Sequence, residues 1–154
     1  MHEQTPNEIT PAELRLAAMN LLARREHLRA ELAVKLSKRF GPELDLEPVL
    51  DQLEQDNLLC DQRFVESYLR YRSTSGYGPA RIEQELRQKG APASMVSEAM
   101  AESDTDWQAL AREVRLKKFG PDEPADFREK SRQLRFLQYR GFTGEQTGVA
   151  FLDD

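Results

Sequence analysis

Residues 86–90, Leu-Arg-Gln-Lys-Gly, recur in altered form at residues 137–141, Leu-Gln-Tyr-Arg-Gly, and at residues 36–40, Leu-Ser-Lys-Arg-Phe. The leucines that open these segments are 50 and 51 residues apart, and each is followed three positions later by a basic residue. Glycine comes next in two of the segments, which is typical of a helix end. The spacing predicts a unit of about 50 residues that occurs three times.

Chance alignment is the competing explanation, because any three helical segments align to some extent. The second and third segments share more than the leucine, since each continues from its glycine into a further short helical pattern. These patterns end in Ala99-Met100 and Ala150-Phe151. The repeat and the chance alignment both stay open at the level of sequence.

Helix start signals occur along the whole chain. Thr10-Pro11-Ala12-Glu13 combines a capping threonine, a proline at the first helical position and the glutamate of a capping box. Thr143 and Gln146 offer a second capping box near the end. No stretch alternates apolar and polar residues as a strand would. The pattern predicts about nine helices and no sheet, with the other starts at Leu28, Asp45, Asp61, Pro79, Pro92, Thr105 or Asp106, and Asp126.

The expected fold is all-α, with three tandem three-helix repeats that form an elongated, curved molecule. Residues 1–10 are expected to be a flexible tail, followed by repeats at residues 11–58, 59–103 and 104–154. A three-helix module of this size buries little apolar surface alone, so neighbouring modules should share a core. A long concave face would suit a filament or groove. The predicted aromatic core anchors are Trp107, Phe127 and Phe142.

Composition restricts the class of protein. One cysteine in 154 residues excludes an internal disulfide and a cysteine-based zinc site. The start of the chain lacks the apolar core of a signal peptide, and no run approaches the ~20 apolar residues that span a bilayer. We therefore expect a cytoplasmic monomer without membrane contact. The net charge of −5 argues against a general nucleic-acid binder.

Charge is unevenly distributed along the chain. Residues 40–62 contain seven acidic residues and no lysine or arginine, and residues 90–111 contain four acidic residues and again no base. Between these two stretches the chain is strongly basic. Ordinary surface patterning is one explanation. Separate acidic and basic faces are the other, and they would orient a charged partner.

Catalytic groups are scarce. The histidines are His2, in the predicted tail, and His27, which is expected to be a partly exposed structural or contact residue. Cys60 has no basic neighbour in sequence and is expected to be a neutral thiol. The Gly-Tyr-Gly at residues 76–78 lacks the Gly-Lys-Ser/Thr of a phosphate-binding loop, and Gly78-Pro79 is explained by a helix start. No catalytic residue, metal site or cofactor is predicted.

Several short motifs carry more information through their order and spacing than any one of them alone. They are Ala18–Leu22, Arg25–His27, Leu53–Phe64, Gly76–Pro79, Lys117–Phe119 and Tyr139–Phe142. With this combination, from about Leu14 to the C terminus, the chain resembles the RecX family of bacterial regulatory proteins. Two positions depart from the family pattern. Cys60-Asp61 replaces paired aspartates and Leu28 replaces a serine, which removes two candidate helix-capping groups.

The resemblance implies three tandem three-helix repeats in a curved, all-α molecule. It also implies binding along the groove of a RecA filament on single-stranded DNA, with inhibition of the ATPase, strand-exchange and co-protease activities of RecA. RecA is the implied partner, and single-stranded DNA would be approached through the filament.

Basic residues are the candidate contacts, because guanidinium and ammonium groups bind phosphate or carboxylate. A solvated helical surface with local ion pairs is the alternative explanation for any one of them. Tyr77 either contacts the partner or packs against its own module. The predicted partner-binding set is Arg24, Arg25, Arg29, Arg72, Arg81, Lys89, Arg115, Lys117, Lys118, Arg132 and Arg140.

Two other functions remain open at this stage. The first is a helical DNA-binding regulator that acts without RecA, with residues 79–99 as a helix-turn-helix. The segment that would enter the major groove, residues 94–101, carries no lysine or arginine, which counts against it. The second is an adaptor for another helical partner.

Overall fold

The computed structural model describes residues 8–152, and this part of the chain contains nine α-helices and no strand. The predicted all-α fold is therefore confirmed. Most of the predicted tail, residues 1–7, lies outside the described residues. The helices are α1 (Pro11–Arg24), α2 (Arg29–Phe40), α3 (Glu47–Gln55), α4 (Asp61–Thr74), α5 (Pro79–Gln88), α6 (Ala93–Glu102), α7 (Trp107–Phe119), α8 (Phe127–Tyr139) and α9 (Gly144–Val149).

The two predicted capping boxes are confirmed. The Thr10 hydroxyl accepts from the N–H of Glu13 while the Glu13 carboxylate accepts from the N–H of Thr10, both at 3.2 Å. Thr143 and Gln146 make the same reciprocal pair at the start of α9. Asp106 also caps α7, through a single bond from the N–H of the third helical residue, Ala109. Side chains close in sequence therefore set several helix starts.

The start of α2 lacks a local cap, as the leucine at position 28 predicted, and a remote side chain takes its place. Leu28 occupies the N-cap position and offers no side-chain acceptor. The carboxylate of Asp61, 32 positions away, accepts instead from the N–H of Arg29 at 2.7 Å. Asp61 was expected to cap α4, but it is the first residue of that helix, and the Cys60 carbonyl accepts the first helical bond. A distant carboxylate thus replaces the missing local cap.

The described residues form two compact units, and α4 contributes its first four residues to unit 1. Unit 1 comprises the residues up to Phe64 together with Lys89–Ala91, and unit 2 comprises Val65–Gln88 and the residues from Pro92 onward. In unit 1, helix α1 packs on α2 and on α3. Its core is formed by Leu14, Ala17, Ala18, Leu32, Leu36, Leu46, Leu50, Leu53 and Leu59. The predicted repeat boundaries and the elongated, curved shape stay predictions.

Unit 2 packs α5 on α6, and α7, α8 and α9 on one another. Phe142 is buried in the core of the α7–α9 group, and Trp107 packs against that core, as predicted. The prediction for Phe127 is wrong, because its side chain is 84% exposed. Phe127 is the first residue of α8, about 15 Å along the helix axis from buried Leu137. Periodicity predicts which face of a helix is apolar, but it does not show whether another helix covers that face near the helix end.

His27 is a structural residue between α1 and α2, and the expectation that it is partly exposed is wrong, since it is 1% exposed. Its Nδ1 lies 3.0 Å from the Arg25 carbonyl oxygen and its Nε2 lies 3.0 Å from Lys35 Nζ. An ammonium group can only donate, so Nε2 accepts, Nδ1 donates and the ring is neutral. Burial, the largest influence, lowers the pKa of His27.

Acidification should destabilise the protein through His27. Its pKa in the folded state is below the value of about 6.5 in an unfolded chain, so the unfolded state takes up the proton first as the pH falls. This contribution is complete above about pH 6.5 and is lost as the pH falls through the folded pKa. In urea unfolding followed by circular dichroism at about pH 7.5 and 5.5, His27→Gln should lose less stability on acidification than the parent.

The matched control is His2→Gln, which removes the other histidine, one that lies outside the described residues. It should keep the pH dependence of the parent. Burial is the largest single influence on Glu31 and acts to raise its pKa, but the hydrogen bonds to Arg25 and the neighbouring positive charges together outweigh it and lower the pKa, so this carboxylate titrates in a more acidic range. Equal losses of stability on acidification for His27→Gln and the parent would contradict the conclusion that His27 is neutral with a lowered pKa in the folded protein.

Candidate cationic binding surface

Two glycine-containing loops of unit 2 contact each other through their backbones. The N–H of Gly78 donates to the Arg140 carbonyl oxygen at 2.7 Å, and the N–H of Ala80 donates to the Gly141 carbonyl oxygen at 3.0 Å. A Cβ at Gly78 would lie 2.4 Å from the Gly141 carbonyl carbon. Only a residue without a side chain permits this approach. The loop before α5 and the loop after α8 are therefore joined, and we call this contact the glycine clasp.

The glycine clasp places three arginines around one aromatic ring. The guanidinium carbons of Arg72, Arg81 and Arg140 lie 3.7, 4.6 and 4.7 Å from the centroid of the Tyr77 ring. The π face of an aromatic ring attracts cations, by about 0.5–1 kcal/mol at exposed sites and more where water is excluded. Tyr77 thus packs against its own unit, and its ring holds three cations close together.

The arrangement continues in both directions from Tyr77. The Arg81 guanidinium also lies 5.0 Å from the ring centroid of Tyr139, which is 74% exposed. Arg140 lies 5.2 Å from the Phe136 ring, and Lys118 Nζ lies 5.7 Å from the same ring. Further on, Phe136 packs edge-on against Phe119, whose ring is contacted by Arg132. We call this set the arginine–aromatic row: Arg72, Tyr77, Arg81, Phe119, Lys118, Arg132, Phe136, Tyr139 and Arg140.

Glu85 fixes two of these arginines. Its carboxylate accepts from Arg72 Nη2 at 2.8 Å, from Arg81 Nε at 3.2 Å and from the hydroxyl of Tyr68. Burial is the largest single influence and acts to raise the pKa of Glu85, but the hydrogen bonds outweigh it and hold the pKa below its ordinary value. Burial, followed by the bond to this carboxylate, raises the pKa of Tyr68 to about 12. Glu85 is therefore an anion that orients its neighbours.

The row borders two cavities within unit 2. One of about 490 Å³ is lined by Arg72, Arg81, Glu85 and Tyr139 among others, and one of about 330 Å³ is lined in part by Lys117, Lys118 and Arg140. Cations fixed at such openings can bind phosphate or carboxylate groups. Within residues 8–152 no group of histidine, cysteine and carboxylate side chains is arranged to hold a metal ion. The chemistry that this surface offers is the binding of anions.

The structure brings together five of the eleven predicted contact residues and leaves six outside the row. Arg72, Arg81, Lys118, Arg132 and Arg140 belong to the row. Lys117, adjacent to Lys118 in sequence, lines the smaller cavity. Arg115 lies elsewhere in unit 2, and the remaining four belong to unit 1: Arg24, Arg25, Arg29 and Lys89.

Three of the predicted residues outside the row are occupied by contacts within their own unit, and Arg25 is one of them through its ion pair with Glu31 at 2.6 Å. Arg115 is 6% exposed, and its Nε donates to Gln133 at 3.0 Å. Its guanidinium carbon also lies 4.5 Å from the Phe151 ring centroid. Arg29 forms ion pairs with three carboxylates of α3, from Glu47, Asp51 and Glu54. Hydrogen bonds to these carboxylates, the one to Glu54 above all, raise its pKa.

The residues that organise the row were not among those predicted from the sequence. Glu85 has a local signal, because it follows Arg81 at the i,i+4 spacing of a helical ion pair. Tyr139 lies beside a predicted arginine in the Tyr139–Phe142 motif, but nothing in the sequence indicated its exposure. Nothing in the sequence around Phe136 indicated its contacts with cations, because those cations come from α7 and from the loop after α8.

The fold and the surface together define the class of protein. It is an all-α protein built from three-helix modules, and it holds arginine and lysine side chains against aromatic rings. Family models agree on the modules. Residues 61–100 match the second three-helix domain of RecX, and residues 104–147 match the third. The chain belongs to the RecX family, which is a family of regulatory proteins rather than of enzymes.

Individual relatives and solved structures agree with this assignment. The chain is 48% identical to regulatory protein RecX of Pseudomonas entomophila over 139 residues, which cover 90% of each chain. It is 47% identical to that of Halorhodospira halophila over 137 residues, 89% of this chain and 85% of the relative. The crystal structure of RecX from Lactobacillus salivarius is similar in fold, with a TM-score of 0.77 at 21% identity, over 91% of this chain and 93% of that one. None of the helices in residues 8–152 is long and apolar enough to cross a membrane.

Proposed function

We propose that this protein acts in the cytoplasm by binding RecA–DNA filaments and restraining them. Binding would inhibit the recombinase, ATPase and co-protease activities of RecA, and would thereby modulate recombination, DNA repair and the SOS response. The observation that carries the proposal is the arginine–aromatic row, in a chain that belongs to the RecX family.

The row suits this role because its cations are already ordered before a partner arrives. A free arginine loses side-chain entropy when it binds, whereas arginines held by Tyr77 and Glu85 have lost part of it during folding. Such cations can contact an acidic filament surface or DNA phosphates. The bound protein would block the filament groove and restrain the subunit movements that accompany ATP hydrolysis. It forms no covalent bond, so it requires no cofactor.

The test is a titration of the protein into RecA assembled on single-stranded DNA, with ATP hydrolysis and co-sedimentation followed together. We expect the protein to sediment with the filament and ATP hydrolysis to fall in the same concentration range. Binding should weaken as salt is raised, because exposed ion pairs are screened. Sedimentation without a fall in ATP hydrolysis would contradict the inhibitory role, and binding that does not change with salt would contradict the electrostatic one.

A gel shift with duplex DNA and no RecA tests the DNA-binding alternative. The helix α6, which would enter the major groove in that alternative, carries no lysine or arginine. We therefore expect no sequence-specific shift. Tight, sequence-specific binding in this assay would favour a regulator that acts without RecA.

A further inference from the structure

The smaller cavity of unit 2 combines an apolar floor with a cationic rim. Its volume is about 330 Å³, within the range of ordinary ligand sites. Leu110, Val114 and Phe136 supply the apolar part, and Lys117, Lys118 and Arg140 supply the cations. We call it the α7–α8 pocket.

The lysines of this pocket are available to a ligand. Lys117 and Lys118 are exposed residues in the last turn of α7, and within residues 8–152 neither forms an ion pair with a carboxylate. By contrast, Arg132 and Arg87 are paired with glutamates on their own helices. Two neighbouring unpaired ammonium groups beside apolar side chains create a site for an anion that also carries an apolar group.

We propose that the α7–α8 pocket binds a short acidic segment of a partner protein, with one large apolar side chain inserted between the flanking carboxylates. The apolar side chain contacts Leu110 and Val114. The carboxylates on either side of it meet Lys117, Lys118 and Arg140. The occupant is identified by this chemistry, and the inference does not depend on the partner being a RecA filament.

The pocket suits a peptide better than a nucleic acid for two reasons. The first is that the Phe136 ring is already contacted by Arg140, by Lys118 and by Phe119, so these groups take the space that a stacked base would need. The second is that the lining includes the carboxylate of Glu113. That carboxylate can accept a hydrogen bond from a peptide N–H, whereas a phosphodiester backbone has no donor to offer.

The probe for the test is a fluorescein-labelled pentapeptide with one phenylalanine between two pairs of glutamates, amidated at its C terminus. A second peptide has glycine in place of the phenylalanine, and a labelled oligothymidylate is the third probe. Binding of the full chain is followed by fluorescence anisotropy, without RecA. The phenylalanine peptide should bind at least about tenfold more tightly than the glycine peptide, because only it buries a large apolar side chain.

The variant is Lys117→Glu with Lys118→Glu, and the matched control is Arg128→Glu with Arg135→Glu. All four residues are exposed, both pairs change the net charge equally, and the control residues do not line the pocket. Circular dichroism verifies that both variants keep their helices. The Lys117→Glu, Lys118→Glu variant should bind the phenylalanine peptide at least about tenfold more weakly than the parent does. The Arg128→Glu, Arg135→Glu variant should change this affinity by less than about twofold.

Three results would overturn the proposal. They are no binding of the phenylalanine peptide at millimolar concentration, equal affinity for the two peptides, and an equal effect of the two variant pairs. Tighter binding of oligothymidylate than of the phenylalanine peptide, lost with the lysine pair, would assign the pocket to nucleic acid instead. The peptide assay contains no RecA, so a negative result there does not contradict the proposed filament function. A negative result in the filament assay likewise does not contradict peptide binding by the pocket.

Discussion

Replacement of Gly141 by alanine should lower the free energy of unfolding by about 3 kcal/mol, the largest effect that we expect from a single methyl group in this chain. Gly141 has a φ of +102°, which L side chains rarely adopt. The added Cβ would also lie 2.4 Å from the Cβ of Arg81 and 2.7 Å from its backbone nitrogen. The loop must then move away from α5 and break the glycine clasp. Urea unfolding followed by circular dichroism measures the loss.

Gly148→Ala is the matched control. Gly148 lies inside α9, and a Cβ there would meet nothing within 4 Å. Alanine is the better helix former, so this variant should be as stable as the parent or more stable, by up to about 1 kcal/mol. If Gly141→Ala unfolded at the same urea concentration as Gly148→Ala, the close contact between the two loops would not exist in solution.

The second large effect concerns the proposed function. Replacing Arg81 and Arg140 together by glutamine should raise the protein concentration that half-inhibits the RecA ATPase by at least about tenfold. Both arginines contact Tyr77, and each also contacts a second ring of the row. The double variant therefore removes two of the three cations around Tyr77 while it keeps uncharged polar side chains at both positions. ATP hydrolysis on single-stranded DNA measures the effect.

Arg128→Gln with Arg135→Gln is the control for this prediction. It removes the same charge from exposed positions of α8 that are outside the row. Its effect on half-inhibition should stay below about threefold, because exposed charges act weakly at a distance in salt. Equal losses for the two double variants would mean that net charge, rather than the row, determines binding.

Much of the fold was predictable because the responsible interactions are local. Threonine and aspartate caps act on an N–H three positions later, so Thr10, Asp106, Asp126 and Thr143 indicate helix starts directly. The cap of α2 was not predictable, because its acceptor Asp61 is remote in the chain. Side-chain exposure at a helix end was not predictable either, as Phe127 shows, because it depends on what other helices cover.

The candidate site was predictable in composition and not in geometry. The chemistry of arginine indicated that Arg72, Arg81 and Arg140 could bind an anion, but their convergence on Tyr77 depends on the backbone approach of two loops that are about 60 residues apart in sequence. Arg115 illustrates the converse. In sequence it resembles the other bases, and only the tertiary position of Gln133 makes it a buried structural residue.

The carboxylate of Asp61 also has a consequence for synthesis on the ribosome. Residues 29–40 leave the exit tunnel before Asp61 does, so at that stage the Asp61 carboxylate is not yet available to the N–H of Arg29. Once Asp61 emerges, a charge-assisted bond of 2.7 Å joins the two segments. A nascent chain that stops short of this residue lacks the contact, so emergence of the start of α4 is the step that supplies the cap of α2.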